Sequence, residues 1–145
     1  MPERRHQQRL IKRLMSGAFL LLLIFTLLQQ RVADNTPGDQ GLAELFAQQA
    51  VKTWVEFGAR VTRTLSDDLD GSRHQRFIVA VDGLTVLIAH NIDLAPRVPV
   101  AEGDEVLIRG RYEWNERGGV VHWTHHDPQN RLPGGWIEHR KKKFK

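Results

Sequence analysis

The sequence predicts an all-β core, a closed five-stranded barrel preceded by one amphipathic helix and an N-terminal membrane segment, and three observations support that fold class. Hydrophobic side chains recur with period two in separate short runs between Ala59 and Trp123, as in strands with one buried face. Asp82-Gly83 lies between two of these runs as a two-residue hairpin turn. Gly103-Asp104 opens a long fourth run, after a loop whose Pro96 and Pro99 rule out a regular element. One helix and five strands in this order are OB-like, a Greek-key barrel. In that arrangement strand one pairs with strands two and four, and strand three closes on strand five in parallel.

The chain of 145 residues has room for one domain of modest core. Its 41% hydrophobic and 26% charged residues are an ordinary globular balance. There is no cysteine, which excludes disulfides, thiolate catalysis and Cys-ligated zinc. The net charge of +4 suggests a polyanion partner, but its distribution argues against a nucleic-acid clamp along the barrel. Basic residues crowd both ends, while residues 14–139 hold 11 basic against 16 acidic side chains.

In chain order, residues 1–28 join a basic head (Arg4, Arg5, Arg9, Lys12, Arg13) to the apolar run Leu14 to Leu28. That is the plan of a signal peptide or a signal anchor. In either case the basic head stays cytoplasmic, placing the remainder at the periplasmic face of the inner membrane, or outside if the segment is cleaved. Residues 29–40, with Pro37-Gly38, read as a linker, and Asp39 is positioned to cap the next helix. Leu42, Leu45, Phe46, Ala50, Trp54 and Phe57 recur at helical spacing and predict an amphipathic helix over 41–57, stopped by Gly58. The barrel domain then occupies 58–139. Its strands run through Ala59 to Leu65, Phe77 to Val81, Leu84 to Ala89, Val106 to Tyr112 and Val120 to Trp123. Trp136-Ile137 reads as a short edge piece and 140–145 as a frayed basic tail.

Candidate site residues gather at two strand ends. Strand three delivers His90, Asn91 and Asp93, with Arg97 further on, and strand five delivers Trp123, His125, His126 and Asp127. Parallel neighbours end at the same rim, so strands three and five bring the two groups together. Adjacent His125 and His126 point to opposite faces of a regular strand. Sharing one ligand therefore requires a bend, which Pro128 favours. His90, His125, His126 and Asp127 are candidate ligands for a divalent metal, which has to rely on His, Asp or Glu in this chain. The leading reading is a binding module with a polar rim site for an anionic ligand or nucleic acid, with tryptophans as stacking surfaces. The alternative is a phosphodiesterase or nuclease, metal-assisted or not, in which Arg97 clamps an anion while His90 and Asp93 supply acid and base.

The segments from His90 to Arg97 (HNIDLAPR), Trp114-Asn115, Gly118 to Pro128 (GGVVHWTHHDP) and Gly134 to Ile137 (GGWI) resemble a family of small, often exported bacterial proteins grouped as a domain of unknown function. The resemblance spans roughly 58–139. It implies a common domain and brings no assigned activity.

Overall fold

The computed structural model describes residues 41–145. The expected membrane segment, the linker and the Asp39 cap lie outside them. The one helix among the described residues, α1, spans Leu42–Ala47. Its first turn is capped by the Asp82 side chain, whose Oδ2 accepts from the Leu42 N–H at 3.2 Å. It ends because Gln49 takes φ 54 and the chain closes back on itself, Ala50 N donating to Leu45 O and Gln49 N to Phe46 O. The helix expected over 41–57 is therefore much shorter. Trp54 and Phe57 belong to the first strand, β1 (Thr53–Thr64), in which Val55, Ala59 and Val61 point into the core. Gly58 stops nothing, because it is an ordinary strand residue opposite Leu107.

Six further strands follow: β2 (His74–Val81), β3 (Leu84–Asn91), β4 (Glu105–Glu113), β5 (Val120–His122), β6 (Trp136–His139) and β7 (Lys142–Phe144). The stretch of β1 from Thr53 to Arg60 pairs antiparallel with β4, and from Arg60 to Thr64 the strand pairs with β2 across a bulge between Val61 and Arg63. Such a bulge bends a strand enough for it to serve two neighbours around a barrel. Strand β3 lies parallel to β5 through Leu87 opposite Val120, and β5 returns antiparallel to β4. The ring β1-β2-β3-β5-β4-β1 is closed, the OB-like five-stranded barrel that the sequence predicts. Phe77, Val79, Val86, Ile88, Ile108, Tyr112 and Val121 are fully buried inside it, with Leu42 and Leu45 of α1 packed against the same core.

Strands β6 and β7 add a second hairpin, β6 against the first half of β4 and β7 against β6. The 140–145 segment is thus ordered rather than frayed. Phe144 is buried opposite Ile137, and Arg140 and Lys141 form the turn.

The β2–β3 turn has positive φ at both Asp82 and Gly83, 51° and 76°, as a type I′ hairpin requires. A Cβ at Gly83 meets nothing within 4 Å, so a substitution there costs conformational energy alone. Gly83→Val is expected to destabilise by about 1–2 kcal/mol. A thermal unfolding midpoint equal to that of the parent would count against this turn geometry.

Candidate functional site at the β3–β5 rim

The two strand ends meet, and the bend between them comes earlier than Pro128. Trp123 takes φ 55, a left-handed conformation that is rare for so large a residue, and this ends β5 after His122. The alternation of faces breaks there, so that Thr124 and His125 are both buried. The turn is held by close backbone contacts. Gly135 donates to His125 O at 2.7 Å, and a Cβ on Gly135 would overlap the carbonyl oxygens of Trp123 and Arg109. Gly110 is also crowded, with His122 O and Val121 Cγ1 each 2.7 Å from where its Cβ would lie.

Beside this turn opens a pocket of about 520 Å3. Strand β5 and the loop after it supply His122, Trp123, His125 and Asp127, while Pro128, Gln129, Arg131 and Leu132 form one wall. Asn91 at the end of β3 and Leu94 in the loop after it, with His74 at the start of β2 and Ser72 just before it, complete it. Of the residues expected at the site, Asn91, Trp123, His125 and Asp127 therefore line one cavity.

The other four expected residues do not line it. His90 is fully buried behind the rim. Its Nε2–H donates to Pro96 O at 3.1 Å and its Nδ1 accepts from the Thr124 hydroxyl at 2.8 Å, which fixes one neutral tautomer. Burial holds its pKa below the usual 6.5. Asp93 accepts from the Arg73 N–H and Nε at 2.7 Å each, hydrogen bonds that keep its carboxyl below the ordinary range. Arg97 is paired with Asp67, and His126 is exposed outside the pocket lining. The acid, base and anion clamp of the phosphodiesterase reading are thus each engaged elsewhere.

The metal expectation meets the same difficulty. Among the described residues no group of three His, Asp or Glu side chains is placed to hold an ion. Both His90 nitrogens are taken, and Asp127 organises its own loop. Asp127 Oδ2 accepts from the Arg131 and Leu132 N–H groups at 2.7 and 2.8 Å and Oδ1 from that of Gln129 at 3.1 Å. These backbone donors lower its pKa.

The groups left facing the pocket form a chemically consistent set. His125 stacks on Trp123 with ring centroids 5.5 Å apart and donates from Nδ1 to His126 O at 2.7 Å. His74 donates from Nδ1 to Ser72 O, also at 2.7 Å. A backbone carbonyl thus takes the Nδ1–H of each ring and leaves its Nε2 for other partners. Burial lowers the pKa of His125 and of His122, the latter despite Glu113 Oε1 at 3.5 Å from its Nε2. Asn91 Oδ1 accepts from the Asp93 N–H at 2.9 Å, so the NH2 end is what that amide has to offer a ligand.

His74 was not among the expected site residues, although a signal for it was present. A two-residue turn pairing Val81 with Leu84 places His74 opposite Asn91 by counting back along the hairpin, and that is the observed register. A second tie, the bridge between Asp68 and His74, holds it there.

No curated protein matches this sequence. The family model described as a protein of unknown function, DUF3465, matches residues 23–145, well beyond the motif-bearing stretch, and the chain therefore belongs to that family.

Proposed function

We propose that the domain is a binding module, exported and held at the periplasmic face of the inner membrane by residues 1–28, whose rim pocket takes a small anionic ligand. The supporting observation is the balance of charge in the lining. Its one carboxylate, Asp127, has both oxygens committed to backbone N–H groups, while Arg131, the Asn91 amide and three imidazoles remain for a ligand. The cavity is of the size that encloses small molecules, roughly 300–1,000 Å3. Trp123 and Leu94 add apolar surface beside the polar groups.

The histidines couple binding to protons. Burial keeps His122 and His125 neutral at neutral pH. An anion placed among them favours the protonated form, so binding takes up protons. Affinity is therefore expected to rise as pH falls through the histidine range. The test is an NMR titration of the purified chain with inorganic phosphate, a nucleoside monophosphate and a dicarboxylate. Expected are shifts at the Trp123 indole and the His74, His122 and His125 rings, tighter binding at lower pH and weaker binding in Arg131→Gln. Shifts scattered elsewhere, or binding indifferent to pH and to Arg131, would reject the reading.

A further inference from the structure

We propose that the β6–β7 hairpin is a second interaction surface, a cationic finger that docks on anionic lipid headgroups. The hairpin carries Arg140, Lys141, Lys142, Lys143 and Lys145 within six residues, whereas residues 41–139 hold 10 basic against 14 acidic side chains. The excess positive charge of the described domain is thus confined to one projection.

That projection is built rather than loose. Phe144 is buried against the core and β7 is paired along β6, which fixes the cations in position. Arg140 and Lys141 occupy the two turn positions with φ 50 and 64. Such positions ordinarily go to Asn and Gly, because a side chain there is strained. Keeping two long cations at a tip that disfavours them is consistent with a use for their charge.

Two acidic neighbours temper part of the patch. Arg140 lies 3.6 Å from Asp104, which also accepts from His139, and Lys143 lies 3.9 Å from Glu138 while its ammonium sits 3.7 Å over the Trp136 ring. Lys141, Lys142 and Lys145 have no acidic partner within 4 Å among the described residues. Lys residues on an edge strand also discourage pairing between copies. That role does not account for the left-handed tip.

A membrane suits this surface better than a nucleic acid. An extended polyanion needs a basic stripe, and beyond the hairpin it would run onto an acidic body. A flat anionic surface requires only one compact cationic projection, since each Lys or Arg near such a surface adds to binding. The N-terminal segment, read from its sequence as a membrane segment, would supply the high local concentration that a small patch needs. The finger is also separate from the rim pocket. Its turn follows His139, opposite Val106 of β4, whereas the pocket's His122 lies opposite Arg111, about 17 Å away along the strand at 3.4 Å per residue.

The test uses the full chain in nanodiscs of phosphatidylcholine, with and without phosphatidylglycerol, and a paramagnetic label on a lipid headgroup. Expected is severalfold stronger broadening of the 140–145 amide signals when phosphatidylglycerol is present. Salt should reverse it, and so should the triple change Lys141→Gln, Lys142→Gln and Lys145→Gln, which leaves Phe144 in place. Salt reversal in the unaltered chain keeps the test decisive should the variant fold poorly. Broadening independent of phosphatidylglycerol, or centred on another face, would overturn the proposal. So would a short RNA or DNA duplex that shifts the hairpin signals while lipid charge has no effect. Carbonate-resistant membrane association reads the N-terminal segment separately, so loss of the anchor and loss of the hairpin contact are distinguishable.

Discussion

Gly135→Ala is expected to be among the most damaging single-methyl changes in the described domain. The added Cβ would overlap the carbonyl oxygens of Trp123 and Arg109, the latter at 2.5 Å, and come within 3.0 Å of Thr124 Cα. All three are backbone atoms in elements that cannot separate without breaking a pairing: Arg109 is paired with Trp136 in the β4–β6 ladder, and Gly135 itself donates to His125 O. A flexible side chain can move aside from an intruding methyl, but a strand and a strained turn cannot. We expect a loss of about 3 kcal/mol or more, at the upper end of the overpacking range. For a domain of this size the unfolding midpoint should fall by roughly 12 °C or more. Gly58→Ala is the control, since a Cβ there meets nothing within 4 Å and strands prefer alanine to glycine. Equal midpoints for the two variants would mean that the β5 exit is not pinned by Gly135.

The damage should reach the pocket as well as the fold. Gly135 holds the segment from Trp123 to His125, and that segment carries two of the rings that line the cavity. Strain at Trp123, the tight crossing at Gly135 and the stacking of His125 on Trp123 are parts of one device. It turns the chain out of β5 within a single residue and lays Thr124 against His90.

What could be read from the sequence divides along physical lines. The Asp82-Gly83 hairpin was legible because its turn chemistry is local. From it and the OB-like strand order followed the parallel contact of β3 with β5, and hence the meeting of the two rim groups. The end of α1 was not legible, because the left-handed residue that closes it is Gln49 rather than glycine. Trp54 and Phe57 then continued a helical spacing just as well as Val55, Phe57, Ala59 and Val61 formed a strand alternation. The β6–β7 hairpin was hidden for a similar reason. Its turn residues are Arg140 and Lys141, and Phe144 is the one large apolar side chain of β7, in a run of lysines. Within the site, residue type marks the rim groups, and type does not tell which of them spend their hydrogen bonds on the scaffold. Asp93, Arg97 and Asp127 carry the chemistry of a site and use it to order loops. His74 was recoverable from the hairpin register alone.

His90→Leu is expected to cost about 2–3 kcal/mol, and the reason separates a scaffold histidine from a ligand-binding one. The imidazole is fully buried, and its removal leaves the Thr124 hydroxyl, itself fully buried, and the Pro96 carbonyl without their partner. Thr124→Val in the same chain should recover part of that loss, because the orphaned hydroxyl goes with it. The proton linkage gives a second and independent readout. Burial sets the folded pKa of His90 below its ordinary 6.5, so the unfolded chain binds the proton more readily. The stability held by the neutral ring is fully present above about pH 6.5, the unfolded value, and is lost as pH falls from there through the folded pKa. One such group changes stability by at most about 1.4 kcal/mol per pH unit. Asp93, Asp104 and Asp127 act in a different window. Their folded pKa values lie below the ordinary 3.8, so their contribution is intact until pH falls under that value. Denaturant unfolding between about pH 7 and pH 5 therefore reports the histidines with the carboxylates silent. The parent should lose stability across that interval, and His90→Leu should lose measurably less, with His122 and His125 supplying the remainder. Parallel pH profiles for the two proteins would show that His90 is not held neutral in the core, and would return it to the list of groups available to a ligand.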